Sequence, residues 1–286
     1  MLGVRAQKDL FYLGRGLFYC PSIMEKRFFV STTLLARLIA HIMTTNASDF
    51  TPRLTYGSLP WLVSVDVPEV RACFIAHGQP KTFKRGDCIA FGLTGVMHYI
   101  ESGLVGTMPV SHSTNERIMG LFGWNTTLGL VMALRNNTSH IALVARALTD
   151  VTTRAMDTTL FQEWFDAQHP IVQQSLWQNA IAKAECQLEG AYVNDICSVL
   201  DRLLWCLWVI YCAAPKATSK DLAKEPYDTL PITITLTDMA LIIHTTREMA
   251  SRALAQAHEA GWVKKEGRRL WLNVQKLPAY LASLTL

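Results

Sequence analysis

Apolar and polar positions follow two rhythms along this chain, and the change of rhythm divides it. Over 59 to about 165, short runs of β-branched and aromatic residues alternate with glycines and turn residues, as at 87–91, 96–100, 103–108, 116–122 and 140–145. Turn signals separate them at 84–86, 101–103, 111–115 and 135–137. Many short strands at this spacing predict an antiparallel roll or barrel. Residues 157–166 then fit a short helix.

After His169-Pro170 the rhythm turns helical, with proline suited to a first helical turn. Val172, Leu176, Ala180, Ala184 and Leu188 recur at steps of four and predict a dimerisation stripe for a second copy of the chain. Packing of the same stripe on the roll is the competing reading. The pattern places a hinge at 191–195, a core helix over 194–212 and a polar loop over 215–231.

The stretch 236–258 reads as two short helices with a tight turn at His244-Thr245. Thr237 is the expected cap of the first and Thr246 of the second. Met249, Ala250, Ala253, Leu254 and Ala257 form the expected inner face, leaving Arg247, Glu248, Ser251 and Arg252 outside. Gly261 ends the helix. Residues 262–265 and 269–274 then fit a hairpin around Glu266-Gly267-Arg268. Helix, turn, helix and basic hairpin together predict a winged helix-turn-helix, whose second helix enters the major groove. Thr246, Arg247, Glu248, Ser251 and Arg252 are its expected DNA contacts, with Lys264, Lys265, Arg268 and Arg269 on the wing. Over 231–286 seven Lys/Arg face four acids, a local charge of +3 that suits phosphate.

Composition narrows the choice. Half of the 286 residues are hydrophobic and 17% are charged, enough for a large core. A net charge of +4 is too small for a surface that coats nucleic acid. The seven cysteines include no C-x-x-C pair, so neither a zinc ribbon nor an iron–sulfur pattern is present, and no cofactor is expected. Free thiols point to a reducing cytoplasm. Cys186, Cys197, Cys206 and Cys212 fall on helices around the hinge, where a thiol switch is conceivable and buried, inert thiols are the expectation. The apolar runs 28–43 and 203–214 are shorter than the ~20 residues a membrane span needs. Residues 1–58 carry no legible function, with Met24 and Met43 as alternative starts. No nucleophile–base set or phosphate-cradling loop appears, which argues against an enzyme.

The order of roll, long helix, hinge, helix and winged head resembles the Crp/Fnr family of bacterial transcription regulators over about 59–286. The most specific match is Arg247-Glu248-Met-Ala-Ser-Arg252, the family's Arg-Glu-x-x-x-Arg at the start of the recognition helix. The resemblance implies that Arg247 and Arg252 donate to guanine edges and that Glu248 accepts from cytosine, as their geometry allows. The closing residues bear a slighter likeness to an IprA/YaiV-like enterobacterial branch. Cyclic-nucleotide binders of the family carry Gly-Glu-Leu and, later, Arg-Ser/Thr-Ala; here Leu130 follows Gly129, and Arg146 is the nearest arginine. Without that cation no cyclic AMP binding is expected.

The expected class is α+β: an unassigned extension (1–58), a cyclic-nucleotide-binding-like antiparallel β-roll (59–167), a dimerisation helix (168–192) and a winged helix-turn-helix domain (193–286). Expected partners are double-stranded DNA, a second copy, RNA polymerase and an unidentified small-molecule effector, with no membrane. The alternative is a ligand-binding or protein-interaction module whose winged helix no longer reads DNA. Solvent-facing Arg247 and Arg252 favour the first reading, and intramolecular ion pairs the second.

Overall fold

The computed structural model describes residues 59–110, 116–135, 143–214, 226–267 and 269–284, all within one compact unit. The expected extension (1–58) therefore lies wholly outside the described residues. The roll comprises α1 (Pro68–His77), β1 (Gln79–Phe83), β2 (Cys88–Ile89), β3 (Val96–Ser102), β4 (Val105–Pro109), β5 (Gly120–Phe122), β6 (Thr126–Leu128), α2 (Leu130–Arg135), β7 (Leu143–Ala147), β8 (Val151–Asp157) and α3 (Thr158–Asp166). Two four-stranded antiparallel sheets, ordered β1-β8-β3-β6 and β2-β7-β4-β5, face one another. Ile100, Leu128 and Val151 of the first meet Ile89, Val105, Phe122 and Ala145 of the second in an apolar interior. Alternation along each strand then decides what covers the outer faces. Met97, Tyr99 and Met156 of the first sheet pack against Phe74, Phe161, Leu176 and Ala180 of the helices. Leu104, Met108 and Leu121, on the outer face of the second, join the core of the C-terminal head.

α4 (Pro170–Ile196) is 27 residues long, with His169 as its N-cap and Pro170 in its first turn. It runs past the expected hinge, and the break falls at Cys197-Ser198, where Ser198 caps α5 (Val199–Cys212). Residues 61–66 lie along α4. Trp61 sits against Gly190, where an added Cβ would come within 2.3 Å of the indole. A buried Lys183 pairs with Asp66 at 3.0 Å and donates to the Ser64 carbonyl at 2.7 Å. α5 buries nine of its residues and forms the centre of the head. Around it stand β9 (Tyr227–Thr229), α6 (Leu236–Ile242), α7 (Arg247–Glu259), β10 (Val263–Glu266), β11 (Arg269–Asn273) and α8 (Leu277–Leu284). Two of these elements, β9 and α8, are not expected from the sequence pattern. β9 pairs with β11 inside the stretch expected as loop, and three residues are too few to show a period. α8 anchors itself through Leu277 and Leu281. Among the described residues no helix is long and apolar enough to cross a membrane.

Candidate nucleic-acid interface

The head is built around two capped helices. α6 is capped by Thr235, not by the expected Thr237; its hydroxyl accepts from the Asp238 N–H at 3.2 Å, so the helix begins one residue before Thr237. Thr246 caps α7 as expected, accepting from the Met249 N–H at 3.2 Å. Between them His244 takes φ +49°, a left-handed conformation that glycine would adopt freely. Its imidazole Nε2 lies 3.3 Å from the Ile118 carbonyl of the roll, and burial holds its pKa below the ordinary 6.5.

α7 buries Ala250, Ala253 and Ala257 against the head core, and these methyls let the helix approach closely. Met249, expected inside, is 40% exposed. At 100° per residue it stands about a quarter-turn from the alanine stripe. Leu254 is half-buried against the core. Arg247, Glu248, Ser251 and Arg252 are all exposed, and neither arginine enters an ion pair among the described residues. Glu248 sits in the first turn, where its own backbone N–H and then the Thr246 hydroxyl hold its carboxyl below the usual range. Two cationic forks and one carboxylate are thus presented to solvent on a rigid helix end. Ala255 and Gln256, which the sequence reading did not single out, continue this exposed surface by one turn.

The wing stands beside that helix. β10 and β11 pair with Lys264 opposite Trp271 and Lys265 opposite Leu270, and Gly267 turns the hairpin at φ +60°. Lys264, Lys265 and Arg269 are exposed; Arg268 lies outside the described residues. The Lys264 ammonium stands 3.9 Å from the centre of the Tyr227 ring. A groove of about 330 Å³ between α7 and the wing is lined by Leu254, Ala255, Val263 and Leu270 together with Ser251 and Lys265. Among the described residues no His/Cys/Asp/Glu group could hold a metal ion.

The expected dimerisation stripe divides. Leu176 and Ala180 are buried against the chain's own roll and Val172 is half-buried, while Ala184 and Leu188 are exposed. Each step of four residues gains ~40° on a helix, so the stripe winds from the roll into solvent. The outward face instead carries Trp177, Ile181, Leu188, Tyr192 and Ile196, from 40% to 70% exposed. The thiols of Cys186, Cys206 and Cys212 are buried and that of Cys197 half-buried; burial raises the pKa of Cys186, Cys197 and Cys206.

No family model matches the chain, and no curated protein matches it. Solved structures do. FixK2 from Bradyrhizobium japonicum is 16% identical, with a TM-score of 0.58 over 71% of this chain and 96% of that one. The c-di-GMP-responsive regulator CLP of Xanthomonas campestris is 18% identical, with a TM-score of 0.55 over 72% and 99%. A CRP-family transcriptional regulator from Thermus thermophilus is 15% identical, with a TM-score of 0.54 over 70% and 96%. The chain therefore has the fold of the Crp/Fnr regulators, roll and winged head included.

Proposed function

We propose that this chain, built on the Crp/Fnr fold, is a sequence-specific DNA-binding transcription regulator of that family and not an enzyme. The observation that carries the reading is the solvent-facing trio Arg247, Glu248 and Arg252 at the capped start of α7, free of intramolecular ion pairs among the described residues and flanked by a basic wing. An arginine fork matches the O6/N7 edge of guanine, and a carboxylate matches the cytosine amino group. Solved neighbours named as regulators support the same class.

The protein works as a homodimer joined through the exposed apolar face of α4. That face is too extensive to stay in water on a helix already packed on its other side. Two heads one helical turn apart then read a two-fold symmetric site. The roll responds to something other than a cyclic nucleotide: Arg146, the nearest cation for a phosphate, is already paired with Glu116 and Asp238.

Selection of bound sequences from a random duplex library tests this, followed by anisotropy titration of wild type and Arg247→Ala/Arg252→Ala. Enrichment of a two-fold motif that the double variant no longer binds is the expected outcome. Binding without any preferred sequence overturns it.

A further inference from the structure

The roll holds the reading head by a specific ionic clamp. Asp238, in the first turn of α6, is buried, its side chain 11% exposed. Two guanidinium groups from the roll converge on it. Arg85, on the turn after β1, reaches Asp238 Oδ2 at 2.7 Å, and Arg146 of β7 reaches Oδ1 at 3.5 Å. Arg146 also bonds Glu116 at 3.1 Å, which orients its fork. Register places Arg146 opposite Gly106 and Cys88, on the face of the second sheet that meets the head. The missing side chain of Gly106 leaves room there for Ile118.

The backbone repeats the connection. The Ile118 N–H donates to the Leu241 carbonyl at 3.2 Å, and His244 meets the Ile118 carbonyl. On the hinge side Asn194 donates to the Ile242 carbonyl at 3.1 Å and Arg202 to the Ile243 carbonyl at 3.0 Å. The helix pair is therefore gripped from the roll on one side and from the α4–α5 junction on the other. In this grip α7 keeps Arg247, Glu248, Ser251 and Arg252 exposed, so the docked orientation is one that can read.

The geometry points to Arg85 and Arg146 as positioning residues for DNA reading, which fix each head at the angle that lets both heads of a dimer engage one site. This rests on the regulator reading above. Neither arginine lies on the reading helix; their work is preorganisation, which matters only when two heads must bind together. A head freed from Asp238's partners still recognises one half-site, but it no longer brings its twin into register.

The test compares wild type, Arg85→Ala/Arg146→Ala and Arg85→Lys/Arg146→Lys as full chains on two duplexes. One carries the selected two-fold site and the other a single half-site. The alanine pair is expected to weaken two-fold binding about tenfold and half-site binding less than about twofold, as loss of linked binding requires. The lysine pair restores most of the loss, because a cation still faces the carboxylate. Arg85→Ala alone, at a turn side chain 44% exposed, gives the same direction with little risk to folding. Equal losses on both duplexes, or none on either, overturn the clamp while leaving the regulator reading intact. If wild type selects no sequence at all, the regulator reading fails and the clamp fails with it.

Discussion

Arg247 and Lys264 both carry a charge toward solvent, yet they stand on different supports and are expected to fail differently. Arg247 opens α7, where its fork can meet a base edge, while Lys264 lies on the wing over Tyr227. Arg247→Ala should cost ~1–3 kcal/mol at the preferred base and relax selectivity there. Lys264→Ala should weaken all sequences alike and reduce the salt slope by about one. Titration on matched and mismatched duplexes at several salt concentrations separates the two. His244 supplies a pH dependence. Burial, with Arg117 and Arg202 nearby, holds the pKa of its imidazole below the ordinary 6.5. The stability it contributes is complete above about pH 6.5 and is lost as pH falls through the depressed folded value. His244→Gly should flatten part of that acid decline in denaturant melts between about pH 7.5 and 5. The buried His98, depressed for the same reason, keeps the remainder. At this scale the sequence was informative where chemistry is local: the Thr246 cap and the tolerant His244 turn follow from neighbouring residues. It was silent on the arginine partners of Asp238, Arg85 and Arg146, which lie 153 and 92 positions away.

α4 shows why a periodic pattern is only partly legible. Apolar residues recur on two sides of this helix, one for the roll and one for solvent, and spacing alone does not assign them. Leu176 is fully buried while Leu188 is 70% exposed. Substituting glutamate at each distinguishes the sides. Leu188→Glu is expected to give a folded monomer in sedimentation, with two-fold DNA binding lost. Leu176→Glu should unfold the chain, since a carboxylate there has no partner. Gly190 adds a second check on α4. Alanine normally gains ~1 kcal/mol over glycine within a helix. Here its methyl would strike the Trp61 indole, so Gly190→Ala should lose about 1–3 kcal/mol in a denaturant melt. Sequence reading gave this glycine no role, because the ring that demands it comes from residue 61. The winged head was easier to read, since its caps, alanine stripe and hairpin turn are all contiguous.

At the scale of the whole molecule, the second sheet of the roll doubles, among the described residues, as a wall of the head core. A roll so engaged has its arginine committed elsewhere. Cyclic AMP in large excess should therefore leave the melting temperature unchanged, whereas a ligand at about 100 times its Kd would add ~2.7 kcal/mol. A dose-dependent rise in calorimetry would contradict this. The distribution of sulfur across this architecture has a practical consequence. Cys88 is exposed on a roll strand, while Cys73 is enclosed in α1, Cys186 in α4, and Cys206 and Cys212 together in α5. Alkylation followed by peptide mass mapping would tag Cys88 at once and each enclosed sulfur only when its own helix opens. Early tagging of Cys206 and Cys212 with Cys73 still protected would mean that the head breathes alone; simultaneous tagging would mean that head and roll melt as one.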